Sequence, residues 1–160
     1  MDESIFDAKQ ELKRVDHLIF VSLKYTRTVD VLKNVVERLI SSLDFVLNAI
    51  LENLHENEKI EEIPTAFVLK CDLIIEKYPN DEKIKELIDF FILLKKLNKL
   101  DYEKENEYRR HVGMIFNLDG KEIKINIDSV TAYYKKVKEL ISHIELNILN
   151  NNNNNNNNNN

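Results

Sequence analysis

The chain has 160 residues, 43% of them hydrophobic and 32% charged, with a formal net charge of -5. That length fits one domain with a single core, and the acidic balance argues against a strongly cationic nucleic-acid binder while leaving room for a local basic patch. Two glycines and two prolines give too little punctuation for an all-β fold, and the lone Cys71 excludes an internal disulfide framework and a Cys-rich zinc site. A single free thiol fits a reducing compartment, no apolar run approaches the roughly 20 residues of a membrane span, and the start MDESIFDAKQ is acidic where a signal peptide would be basic. The expectation is a cytoplasmic protein with no membrane partner.

From Ile5 to Leu54 there is no Gly or Pro, and one helix of that length would run about 75 Å. A compact domain of this size has a radius of gyration of about 15 Å, so the chain must turn back, and the β-branched stretch KYTRTVD (Lys24 to Asp30) is the expected place. Thr28 or Asp30 would cap the helix that follows. The first helix carries an apolar stripe at Ile5 or Phe6, Ala8, Leu12, Val15, Ile19 and Leu23. The second carries Leu32, Val36, Leu39, Leu43, Val46, Ile50 and Leu54. Two such stripes pack as an antiparallel pair. The second helix also has apolar residues beside its stripe, Val31, Val35, Phe45, Leu47 and Leu51, which predict either a surrounding core or a partner.

Pro64 suits the first turn of a third helix running to about Lys77, and Asn80 is placed to cap a fourth with the stripe Ile84, Leu87, Ile88, Phe91 and Leu94. Residues 101–110 read equally as helix or loop. The run HVGMIFNLDGKEIKINID predicts a hairpin, because Asp119-Gly120 between two alternating segments demands a type I′ turn. The register then pairs Leu118 with Lys121, Phe116 with Ile123, Met114 with Ile125 and Val112 with Ile127, which puts one apolar face toward the helices. A last helix follows, capped by Asp128 or Ser129. The fold class is therefore mainly α, an antiparallel helical bundle with one docked β-hairpin at about 111–127, as a single domain over residues 1–149. The asparagines from Asn150 to Asn160 have no apolar group to bury and form a low-complexity tail or stand for unassigned residues.

Chemistry-bearing residues are few. In EYRRHVG (Glu107 to Gly113) two arginines stand beside a histidine. The hairpin register turns Arg109 and His111 away from the core, with His111 cross-strand from Asp128 and Lys124 opposite Ile115. The plain reading is a solvated face with an ion pair. The sharper one is a phosphate or RNA contact by Arg109, Arg110, His111 and Lys124, since arginine suits bidentate phosphate binding. Arg14 and His17, one helical turn apart, and Arg27, ahead of the second helix, form a secondary candidate set whose ordinary role is a polar helix edge or a cap. The histidines 17, 55, 111 and 143 have no metal-ligand spacing, the glycines serve the hairpin, and no metal or cofactor is expected.

The helix pair ELKRVDHLIFVSLKYTRTVDVLKNVVERLISSLDFVLNAIL, followed by shorter helices and a Tyr-bearing last helix, resembles the HEPN superfamily of small helical bundles. Active members of that family are dimeric, metal-independent ribonucleases with an arginine four to six residues before a histidine. Here Arg110 is followed immediately by His111 and Arg14 precedes His17 by three, so the resemblance implies a non-catalytic or substrate-binding member, paired with a nucleotidyltransferase or another effector. The functional expectation is a non-enzymatic helical module that self-associates or binds a protein partner. The alternative is a HEPN-like RNA-binding protein or ribonuclease using the basic residues above.

Overall fold

A computed structural model describes residues 2–150; the proposed Asn tail lies outside the described residues apart from Asn150. Helix α1 (Asp2–His17) continues through a π-helical turn, Leu18–Ser22, and a last α turn, Leu23–Tyr25. The chain reverses over residues 26–28, as the β-branched threonines there require, and α2 (Val29–Glu56) begins with the Thr28 side chain accepting from the Val31 N–H. Both expected stripes are buried, and the choice at the start of α1 falls to Ile5, with Phe6 exposed. Polar contacts stitch the same seam. Ser42 Oγ donates to the Ala8 carbonyl at 2.9 Å, and Arg38 reaches the nearly buried Glu11, which also pairs with Arg14. The flanking residues Val35, Leu47 and Leu51 are wholly buried inside the domain, and Val31 and Phe45 pack partly against its core. The apolar excess of α2 is thus taken up internally, and the argument for a partner on that helix falls away.

Helix α3 (Phe67–Lys77) starts three residues after Pro64 rather than at it. The first residue to reach the core is Phe67, whose ring meets Phe91 edge-on at 5.0 Å with the Lys95 ammonium 3.7 Å from its centroid. Helix α4 (Glu82–Lys99) is capped by Asp81, not Asn80. One Asp81 oxygen accepts from the N–H groups of Lys83 and Ile84, and the carboxylate also meets His143, a partner from the last helix that favours an anion over an amide. Cys71, on α3, is buried, and burial pushes its thiol pKa up, which keeps it unreactive.

The sheet has three antiparallel strands rather than two, β1 (Glu103–Glu105), β2 (Gly113–Leu118) and β3 (Lys121–Asn126), in that spatial order. The β2–β3 register is the expected one from Leu118↔Lys121 to Met114↔Ile125, and Asp119 and Gly120 both have the positive φ of a type I′ turn. Strand β1 pairs Glu103 with Ile115 and Glu105 with Gly113. Its charged sequence hid it, because a short edge strand facing solvent needs no apolar alternation. Val112, Met114, Phe116 and Ile125 enter the core against the helices.

The ladder ends at Gly113↔Asn126, so the anticipated pairs Val112 with Ile127 and His111 with Asp128 do not form. Strand β3 runs straight into α5 (Ile127–Ile144), and the cap falls on Asn126, which accepts from the Ser129 N–H while Ser129 Oγ accepts from the Asn126 N–H. Asp128 is therefore a residue of the first helical turn, and α5 passes into a π-helical turn, Glu145–Leu149.

Candidate anion-binding cleft

The segment linking β1 to β2, residues 106–112, is an ordered loop that docks on the α1–α2 reversal. The Tyr108 N–H donates to the Arg27 carbonyl at 2.7 Å, and Glu107 Oε2 accepts from the Val29 N–H at 3.4 Å, adding a second acceptor at the start of α2. Within the loop the Arg109 N–H donates to the Asn106 carbonyl and the Val112 N–H to the Arg109 carbonyl. Asn106 and Tyr108 sit at φ 51° and 64°. The left-handed region is ordinary for Asn but strained for Tyr, and such strain persists only where the surroundings impose it.

Docking brings together segments far apart in sequence, Val29 meeting Glu107 across 78 positions. A cleft of about 370 Å³ opens between the end of α1, the loop and the start of α5. Ile19, Leu23 and Ile127 supply apolar surface, Phe20 lies exposed at its side, and Lys24, Arg27, Arg110 and His111 supply donors, with Asp128 the single carboxylate. The π-helical turn carries Ile19 and Phe20. Such turns widen a helix locally and recur where a helix contributes to a site.

The arginines are what set this cleft apart. Of the five arginines in the chain, Arg14 and Arg38 share Glu11, whereas Arg27, Arg109 and Arg110 have no ion pair among the described residues. All three belong to the loop and the turn it docks on. The Arg27 Nε–H is sealed from solvent without a hydrogen-bond acceptor, an arrangement that leaves a strong donor unused. Lys24 and His111 are likewise without an ion pair among the described residues. Elsewhere on the surface Lys9, Lys83, Lys104, Lys124 and Lys136 each meet a carboxylate.

The sequence candidates therefore divide. Arg110 and His111 join Arg27 in the cleft, while Arg109 is exposed in the loop outside its lining. Lys124 stands on the outer face of the sheet, paired with Glu105. Gly113 leaves room for its stem, since a Cβ there would lie 3.3 Å from Lys124 Cε. Arg14 is committed to Glu11, and His17 is exposed without lining the cleft. Lys24 and Asp128 are the residues that sequence reasoning did not assign to the site. Two aromatic rings on the docked segments are highly exposed, Tyr25 at 85% and Tyr108 at 80%, and neither is among the residues lining the cleft.

No family model matches this chain, and no curated protein or solved structure matches it either. Among the described residues no group of three or more His, Cys, Asp or Glu side chains is placed to hold a metal ion, and no helix is long and apolar enough to cross a membrane.

Proposed function

We propose that the protein binds single-stranded RNA without cleaving it, with phosphate held in the cleft by Lys24, Arg27 and Arg110 and assisted by His111. The observation that carries this reading is the gathering of unpaired cations around one concave site on a chain whose net charge is -5. An acidic protein repels a polyanion in general, so attraction has to be local. Exposed aromatic rings beside the cations supply the other half of single-strand recognition, since bases stack on such rings while cations follow the backbone. Binding rather than catalysis is supported by the His111 ring, which among the described residues has no hydrogen bond to an orienting carboxylate or to a nucleophile. The likeness of the helix pair to the HEPN superfamily favours the same class, a substrate-binding member acting beside an effector such as a nucleotidyltransferase.

Fluorescence anisotropy with a labelled 12-nucleotide RNA tests this directly. With three fixed cations in contact, the logarithm of affinity should fall against the logarithm of salt concentration with a slope of about -2. Arg27→Ala with Arg110→Ala should weaken binding and flatten that slope. Absence of binding by the parent protein at low salt would refute the reading.

A second reading, a protein-interaction module, is favoured by α3. Val68, Leu69 and Ile75 are exposed on this helix, Val68 at 66%. Loss of a captured protein partner on Val68→Asp with Leu69→Asp, with RNA binding absent, would favour it.

A further inference from the structure

A second groove lies along the seam between α1 and α5, next to the cleft but with no lining residue in common with it. That groove, of about 460 Å³, is lined by Lys9, Lys13, Asp16, Tyr134 and Lys138 among others. The two are joined by side chains at their boundary. Phe20, which lines the cleft, meets the Tyr134 ring edge-on at 6.1 Å, and the Tyr134 hydroxyl donates to Asp16 at 2.9 Å. Burial, reinforced by that bond to Asp16, pushes the Tyr134 pKa up and keeps the hydroxyl a donor.

From this contact between the two linings we infer that a single strand of RNA does not end at the cleft but runs on along the α1–α5 seam, stacking a base on the Phe20–Tyr134 pair and placing phosphates near Lys13 and Lys138. The inference rests on the RNA-binding reading and adds a path to it. Positive groups recur from Arg27 in the reversal, through Lys24 in the last turn before it, to Lys13 and Lys9 on α1. On the opposite wall Thr131, Tyr134, Lys138 and Ser142 follow one another at single helical turns. From Thr131 to Ser142 the wall is about 16 Å long at 1.5 Å per residue, enough for several nucleotides. Lys9 is already matched by Glu145, and Asp16 is occupied by Tyr134. Lys13 and Lys138 are without an ion pair among the described residues, although the Lys138 ammonium lies 5.9 Å from the Tyr134 ring centroid. A base stacked beside that ring would bring its own phosphate to the ammonium.

The test compares two ligand lengths on two variants. Lys13→Gln with Lys138→Gln removes the proposed path contacts at two exposed positions, and Arg27→Ala with Arg110→Ala removes the anchor. The 12-nucleotide RNA is measured by anisotropy and a 5′-phosphorylated dinucleotide by NMR titration. The lysine variant should weaken the 12-mer about tenfold yet hold dinucleotide affinity within about twofold of the parent, while the arginine variant weakens both. Equal losses for both ligands in the lysine variant, or no loss for the 12-mer, would overturn the path and leave the cleft reading standing. If the parent binds neither ligand, the path and the cleft reading fall together.

Discussion

The Tyr108 N–H donates to the Arg27 carbonyl at 2.7 Å, and this bond, with that from the Val29 N–H to Glu107, fastens a loop from the sheet onto the helical reversal that carries Arg27. Because the contact is made by backbone, Tyr108→Gly should keep it. Relief of φ 64° is worth roughly 1 to 2 kcal/mol, and glycine's greater freedom in the unfolded chain offsets about 0.5 to 1 kcal/mol of that. Thermal or denaturant unfolding should then move by no more than about 1 kcal/mol, while RNA affinity drops through loss of the exposed ring. A large destabilisation would mean that the Tyr108 side chain has a structural role.

The buried face of the sheet and the loop ahead of β2 should respond very differently to truncation. Phe116 is buried, with its ring centroid 5.5 Å from that of Tyr102, so Phe116→Ala should cost about 3 to 5 kcal/mol. Arg109→Ala with His111→Ala touches only exposed side chains and should stay within about 0.5 kcal/mol of the parent. Urea melts decide between these; a loop variant less stable than the core variant would contradict the exposure of Arg109 and His111.

Leu51 lies beside the main stripe of α2 and is wholly enclosed within the domain. Leu51→Ala should therefore behave as a core lesion, with a loss of about 2 to 5 kcal/mol that does not vary with protein concentration. A loss that grows on dilution would place this residue in an interface between copies.

Asp81 couples the start of α4 to the end of α5. Asn147 donates to His143 Nδ1 at 3.1 Å, which leaves Nε2 to donate to the Asp81 carboxylate at 2.9 Å. Burial alone would raise the Asp81 pKa, but the hydrogen bond from His143 and those from the Ile84 and Lys83 N–H groups outweigh it and hold the carboxyl below its ordinary 3.8. A depressed folded-state pKa stabilises the protein above the unfolded value and stops doing so as pH falls through the folded one. Asp81→Ala should accordingly cost about 1 to 2 kcal/mol at neutral pH. That difference should shrink below pH 3.8 in melts of the two proteins. A penalty that stays constant into acid would show that the charge of Asp81 plays no part.

Periodicity made the helices and the hairpin legible, because Leu32 to Leu54 and Met114 to Ile125 repeat at spacings that only one geometry can bury. Local chemistry narrowed the cap of α2 to Thr28 or Asp30, of which Thr28 serves, and identified Asp119-Gly120 as a turn. What it missed depends on tertiary contact. Asp81 prevails over Asn80 because His143 reaches it from 62 positions away, and Asn126 caps α5 because β3 enters the helix without a loop. The cleft was only half visible. Arg110, His111 and Arg27 stood out as residue types, but no local pattern announces that residues 106–112 dock on the turn at 26–28. Lys24 and Asp128 enter the site only through that docking.

The most direct measurement is an NMR titration of the isotopically labelled protein with single-stranded RNA, following the backbone amides and the arginine side-chain N–H groups. The account predicts saturable shifts concentrated at Lys24, Arg27, Tyr108, Arg110, His111 and Asp128, with the Arg27 and Arg110 guanidinium groups among the largest because phosphate would pair with them. Shifts confined to the outer face of α3, or to Lys124 on the outer side of the sheet, with the cleft unmoved, would contradict it.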